Sequence, residues 1–96
     1  MVSKDNYHDN TTPDELHLRR LTVYDALVKL DKYLDDAFLG GRNQVRIVHG
    51  KGTGTLRRAI TEYLSQHSLV ASYRGGEYGE GGIGVTIVEL VPKARQ

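Results

Sequence analysis

The stretch Val45-Arg46-Ile47-Val48-His49 runs without interruption into Gly50-Lys51-Gly52-Thr53-Gly54 and then into Thr55-Leu56-Arg57-Arg58. A short, almost wholly apolar run suits a strand buried in a parallel sheet. The residues after the glycines return to helical spacing, so the order is strand, tight turn, helix. Three glycines in five residues permit backbone angles closed to other residues and let a ligand approach the main chain. The first turn of a helix adds unpaired amides and a partial positive charge, which together predict an anion site. His49 and Lys51 sit on this turn, one able to move protons near neutral pH and the other a fixed cation. From Gln44 to Thr61 there is no acid, whereas Arg46, Lys51, Arg57 and Arg58 all fall there. That segregation predicts a local electropositive patch; ordinary solvated arginines on a helix are the plainer alternative.

The rest of the chain supplies a frame for the turn. Residues 1–13 are polar and end in Asn-Thr-Thr-Pro, as a flexible tail or linker would, and hint at a piece of something longer. Residues 14–92 form the expected domain and 93–96 a short C-terminal tail. Glu15 to Arg20 alternates, Leu16 and Leu18 one way and His17 and Arg19 the other, as in a half-buried strand. A first helix follows, with Thr22 as N-cap, Asp25 completing a weaker capping box and Gly40-Gly41 as the stop. Its apolar set is Val23, Ala26, Leu27, Leu30, Leu34, Ala37 and Phe38. A second helix from about Gly54 to about His67 buries Leu56, Ala59, Ile60, Tyr63 and Leu64. His67 reads as favourable charge at its C-terminal end. Leu69 to Tyr73 gives a third strand and Gly84 to Val91 a fourth, the strongest β signal in the chain, closed by Pro92. Between them Arg74 to Ile83 carries five glycines, as a mobile hairpin tip or a functional flap would. The expected fold is therefore α/β, βαβαββ, a two-layer sandwich with both helices on one face of a four-stranded mixed sheet. The uncovered face would carry His17, Arg19 and Arg46.

Composition removes several classes of function. Ninety-six residues, 39% hydrophobic and 26% charged, fit one small domain and exclude a large multidomain enzyme. There is no cysteine, so disulfide frameworks and Cys-based zinc sites are out. No apolar run reaches the roughly 18 residues of a membrane span and no signal-peptide pattern opens the chain. A soluble cytoplasmic protein without a membrane partner is the expectation. The net charge of +1 names no partner by itself.

Spacing also disposes of two nucleotide sites. A phosphate-binding P-loop needs glycine, four residues, then Gly-Lys-Ser/Thr, which Gly50-Lys51-Gly52-Thr53 does not provide. A dinucleotide fingerprint would need glycine where Thr55 stands. A purely structural strand-to-helix turn explains the glycines but not the His and Lys that accompany them.

With these residues in view the chain resembles the small MutS-related (Smr) domain. The match is carried by Leu16-His17-Leu18-Arg19, by Ala26, Leu27 and Leu30, by Val45 to His49 with Gly50-Lys51-Gly52-Thr53-Gly54 and Leu56-Arg57, and by Gly81-Gly82-Ile83-Gly84-Val85-Thr86. The form with Arg19 is most like the domain that ends the second-type bacterial MutS paralogue. The resemblance implies a sandwich similar to the C-terminal domain of translation initiation factor three, with the fourth strand inserted antiparallel between the second and third. It also implies binding of branched or structured DNA, nicking endonuclease activity, and in some members RNA- or ribosome-linked work, here as part of a longer protein with an ATPase portion. Carried over by position, the functional set is Arg19, His49, Gly50, Lys51 and Gly52. Two departures stand out: His17 where the family usually has Asp, and Arg20 where it usually has Gly. Both changes favour binding over chemistry.

Nicking needs a proton taken from the nucleophile, one given to the leaving oxygen, and cations over the developing charge. The expected catalytic residues are His49 as general acid or base with Lys51 and Arg19 as phosphate clamps, the turn amides serving as oxyanion donors. The expected phosphate-binding set is Gly50, Gly52, Thr53, Gly54, Arg20, Arg57, Arg58 and Arg46. An imidazole merely hydrogen-bonded at a strand end is the alternative for His49. No metal ligands are assigned; a divalent metal is compatible with the sequence but not required by it. Two further classes stay open: a non-catalytic nucleic-acid- or ribosome-binding module, and a protein-docking domain using the uncovered sheet face. Tyr78 is a candidate for stacking on unpaired bases; Tyr73 follows the buried alternation of its strand.

Overall fold

A computed structural model of the protein describes residues 11–93. Its elements are β1 (Glu15–His17), α1 (Val23–Leu39), β2 (Gln44–Val48), α2 (Thr55–Ser65), β3 (Val70–Gly75), a short 3-10 turn (Gly82–Gly84) and β4 (Val85–Leu90). The strand order is β1-β2-β4-β3. β1 and β2 run parallel with Leu16 opposite Ile47, and β4 is antiparallel to both its neighbours. The insertion of β4 between β2 and β3 agrees with its sequence, the most continuously apolar of the four, because an inner strand is buried on both faces.

Register explains the core. Leu16, Val45, Ile47, Val88 and Leu90 share one face and close against Ala26, Leu30, Leu34 and Ala37 of α1 and Ile60 and Leu64 of α2. Both helices therefore lie on that face, as the apolar spacing predicts. Thr22 Oγ1 accepts from the amide of Asp25 at 3.1 Å, which fixes where α1 begins. The middle of α1 is tied to the C-terminal end of α2 by Asp31, which accepts from the Tyr63 hydroxyl and from Nε2 of His67. Nδ1 of His67 accepts from the Leu69 amide, so its ring is spent inside the fold rather than on the helix terminus alone.

Three sequence expectations shift. β1 is only three residues long, and Arg19 and Arg20 lie in the turn beyond it. Tyr73, expected to be buried, is exposed: it faces Val88 from the edge strand, where no further strand shelters its flank. Most of residues 1–13 and 93–96 lies outside the described residues, but Thr12 and Pro13 do not hang loose. Thr12 bridges to Glu15 and both carbonyls accept from the Tyr33 hydroxyl.

The face away from the helices is roofed by paired charges rather than left bare. Ile87 is 2% exposed although no helix covers it. Arg46 and Arg74 stand directly opposite it on the two adjacent strands, where their aliphatic stems shield it. Arg46 pairs with Glu15 at 3.6 Å, and Arg74 grips both carboxylate oxygens of Glu80 at 2.8 and 2.9 Å. The Arg74 guanidinium, with the Glu77 amide, holds the Glu80 carboxyl down to about 2.

That pair also fixes the glycine-rich loop. Gly76 N–H donates to Val85, and Glu80 and Gly82 N–H both donate to Glu77. At Gly81, with φ at 108°, a Cβ would stand 2.3 Å from Cγ2 of Val85. The loop is thus a built element pressed onto the start of β4. Gly81→Ala should destabilise the domain by about 2 kcal/mol or more through both clash and backbone strain. Chemical denaturation checks this; a midpoint equal to the parent's would contradict it.

Candidate functional site

β1 and β2 are parallel neighbours, so the loops leaving their carboxyl ends emerge side by side. Between them lies a cleft of about 540 Å³ lined by residues 19–23 and 49–57. Gly50, Gly52 and Gly54 all take positive φ, at 82°, 37° and 89°, which is why the turn needs glycine at every second position. The turn is hung from β4: the amides of His49 and Gly50 both donate to the Gly84 carbonyl, at 3.0 and 2.9 Å. Gly50 is therefore not available as an oxyanion donor, contrary to the sequence expectation. The amides of Gly52, Gly54, Leu56 and Arg57 have no acceptor among the described residues. They stand at the uncapped start of α2, where Gly54 offers no side-chain cap.

Arg19 reaches the turn as expected, although from the β1 exit rather than from the strand. Its Cγ lies 3.2 Å and its Nε 3.4 Å from where a Cβ on Gly50 would be, so the side chain lies across that glycine. Arg20 follows with φ at 70°, alone among the described non-glycine residues in being left-handed. At Arg20 the chain takes the conformation that favours glycine and carries a guanidinium on it, at a cost of about 1–2 kcal/mol.

The cations divide cleanly. Lys32, Arg42, Arg46 and Arg74 pair with carboxylates, Lys93 donates to the Leu39 carbonyl, and Lys29 is engaged as well. Among the described residues Arg19, Arg20, Lys51, Arg57 and Arg58 pair with none. Four of those five line the cleft, and Arg58 brings its Nη2 within 3.9 Å of the Cβ position of Gly54. No acidic residue lines the cleft. Thr53 also lines it, its hydroxyl bonded to that of Thr55 at 2.9 Å. Arg46 was expected in this set but lies on the far sheet face with Glu15, because strand alternation turns it away from Val45 and Ile47.

His49 is 4% exposed. Its Nδ1 lies 3.0 Å from the Gly50 carbonyl and its Nε2 2.8 Å from the Thr86 hydroxyl. A carbonyl only accepts, so Nδ1 carries the proton and Nε2 of the neutral ring accepts from Thr86. Burial lowers the imidazole's pKa, the Gly50 hydrogen bond partly offsets this, and nearby Arg57 lowers it further. Thr86 is the one partner that residue-by-residue reading missed, although Gly84 and Thr86 both stand in the late glycine motif. Among the described residues no group of three or more His, Cys, Asp or Glu is placed to hold a metal ion. Among the described residues no helix is long and apolar enough to cross a membrane.

Residues 16–91 match the Smr domain family. The chain belongs to that family. It is 58% identical over 76 residues to "Endonuclease MutS2" of Pelotomaculum thermopropionicum, an alignment covering 79% of this chain and 10% of that protein. It therefore spans about a tenth of the length of the curated relatives it matches. The crystal structure of the Smr domain of Thermus thermophilus MutS2 superposes with a TM-score of 0.81 at 47% identity, covering 82% of this chain and 99% of that one. YdaL, a stand-alone small MutS-related protein from Escherichia coli, shares the fold with a TM-score of 0.78 at 23% identity, covering 88% and 70% respectively. This Smr domain thus has the expected two helices on a four-stranded mixed sheet.

The sealed imidazole makes a pH prediction. The folded ring has the lower pKa, so the unfolded chain takes up the proton first as pH falls. The stability His49 contributes is complete above the ordinary value of 6.5 and drains as pH falls through the folded one. Thermal unfolding from pH 7.5 to 5 should show the parent losing stability. His49→Gln should be about 1–3 kcal/mol less stable at neutral pH and lose less on acidification. Parallel declines in parent and variant would contradict this.

Proposed function

We propose that this Smr domain binds the phosphodiester backbone of branched or structured DNA in the cleft between the β1 and β2 exits, as the nucleic-acid-handling part of a longer MutS-like protein that includes an ATPase portion. The observation that carries the reading is the gathering of all five unpaired described cations around the unsatisfied amides of the glycine turn and the start of α2. A phosphate satisfies both at once: it takes backbone N–H bonds at the helix start and neutralises charge that nothing in the fold neutralises. Arg19, Arg20 and Lys51 hold the backbone from the β1 and β2 exits, and Arg57 and Arg58 from the first turn of α2. The paired cations Arg46 and Arg74 take no part.

Strand nicking is the second reading, favoured by the name Endonuclease MutS2 that the relatives carry, which covers proteins about ten times the matched length. In this reading Lys51 and Arg19 clamp the phosphate and His49 moves the proton. The geometry sets a condition on it: Nδ1 already carries the ring proton and Nε2 is engaged by Thr86, so His49 must release Thr86 before Nε2 can accept a proton from a nucleophile. Backbone binding needs no such release. His49 then acts by holding the Gly50 carbonyl and hence the shape of the turn. A ribosome- or RNA-directed version of the same binding module uses the same cleft and differs only in the substrate offered.

The test combines binding and product analysis on a branched DNA and on a structured RNA. Affinity should fall with salt, and Lys51→Gln and Arg57→Gln should each reduce the logarithmic slope by about 0.9 on duplex DNA. Arg46→Gln should leave the slope unchanged. Equal slopes in parent and both cleft variants would overturn the cleft assignment. Long incubation with Mg²⁺, Mn²⁺ or EDTA separates the two readings: substrate nicked by the parent but not by a folded His49→Gln variant supports cleavage, and intact substrate throughout supports binding alone.

A further inference from the structure

We propose that Ile83, aided by Tyr78 on the same loop, is the element with which this domain tells DNA containing unpaired or unstacked bases from continuous duplex. The proposal rests on the backbone-binding reading above and deepens it. Phosphate contacts position a protein on nucleic acid but carry no information about base pairing, so a second kind of contact must supply it. Ile83 is 65% exposed and Tyr78 fully exposed, and neither belongs to the core. An isolated exposed apolar residue signifies little by itself. These two differ because their loop is rigidly placed and because of what it touches.

Arg74 and Glu80 brace the loop from below, and Gly81 is seated against Val85. The next residue after Ile83 is Gly84, whose carbonyl holds the amides of His49 and Gly50. A Cβ on Gly84 would lie 3.4 Å from both the Cα of Gly50 and the Cγ of Lys51. Ile83 therefore stands about 4 Å along the chain from the wall of the phosphate turn. A strand seated on that turn brings its neighbouring bases to an apolar side chain that cannot retreat. Aliphatic wedges enter between bases, and tyrosine offers a stacking face to a base that has left its partner. A continuous duplex must be unstacked before either contact forms, whereas a branch point or gap already is, so the loop favours the latter.

The experiment uses the whole 96-residue chain with two DNAs: a three-way junction carrying 2-aminopurine at the branch, and a duplex with 2-aminopurine at a matched central position. Ile83→Ser, Tyr78→Ala and the double variant are compared with the parent by anisotropy, and circular dichroism verifies that each is folded. The parent should prefer the junction by about tenfold and change the junction probe's fluorescence. The double variant should lose most of that preference and signal while keeping the parent's duplex affinity and salt slope. Undiminished junction preference in a folded double variant overturns the proposal, as does a parent that binds both DNAs equally well with a normal salt slope; in either case the backbone-binding reading survives. A parent that binds neither DNA ends that reading, and this proposal with it.

Discussion

The carbonyl of Gly84 is the point from which the site hangs. By accepting from two consecutive amides, His49 and Gly50, it ends the β2 ladder and starts the glycine turn in one step. Two residues later on β4, Thr86 reaches the His49 ring, whose other nitrogen returns to the Gly50 carbonyl. The last strand in sequence thereby sets the conformation of a turn some thirty residues earlier, which is possible only because β4 inserts beside β2. Among the described residues no buried side-chain nitrogen or oxygen lacks a partner, as must hold where water does not reach. Removing any member leaves another unpaired, so the network specifies one shape for the turn.

On that scaffold, charge distribution rather than charge total creates the candidate function. The chain is almost neutral, yet its described cations fall into two populations. On the far sheet face arginines are balanced by Glu15 and Glu80 and serve to cover Ile87. At the cleft they are unbalanced and share the space with unsatisfied amides. Arg20 shows how far this goes: a residue that is costly in a left-handed conformation stands there all the same, and it adds a cation.

Much of this was legible in the sequence because the signals are local. The apolar spacing of Ala26, Leu30 and Leu34, the Thr22 cap and the alternation around Leu16 depend on near neighbours, and these elements appear where expected. The glycine turn was legible for the same reason, since positive φ at every second residue leaves few alternatives to glycine. What was not legible depends on contacts between distant segments. Arg46 reads both as part of the basic stretch and as a residue of the uncovered sheet face, and only its pairing with Glu15, from another strand, decides for the second. Tyr73 alternates as a buried residue should, yet its strand is an edge. The glycine-rich loop reads as a mobile hairpin tip or a functional flap, because glycine frequency cannot reveal the Arg74–Glu80 clamp or the seat of Gly81 on Val85. His49 reads as a general acid or base or as an imidazole hydrogen-bonded at a strand end, and the sequence does not name its partner, because Thr86 comes from a strand nearly forty residues on.

The central claim is that phosphate is held at the glycine turn and the start of α2, and not on the face that carries the other arginines. Amide chemical-shift mapping by NMR during titration with a short branched DNA tests it most directly. The predicted result is a contiguous set of perturbed amides at residues 19–22 and 50–58, diminishing as salt is raised, with Arg46, Arg74 and Glu89 unmoved. Perturbations centred on Arg46, Arg74 and Glu89, with Gly52, Gly54 and Arg57 unaffected, would contradict it.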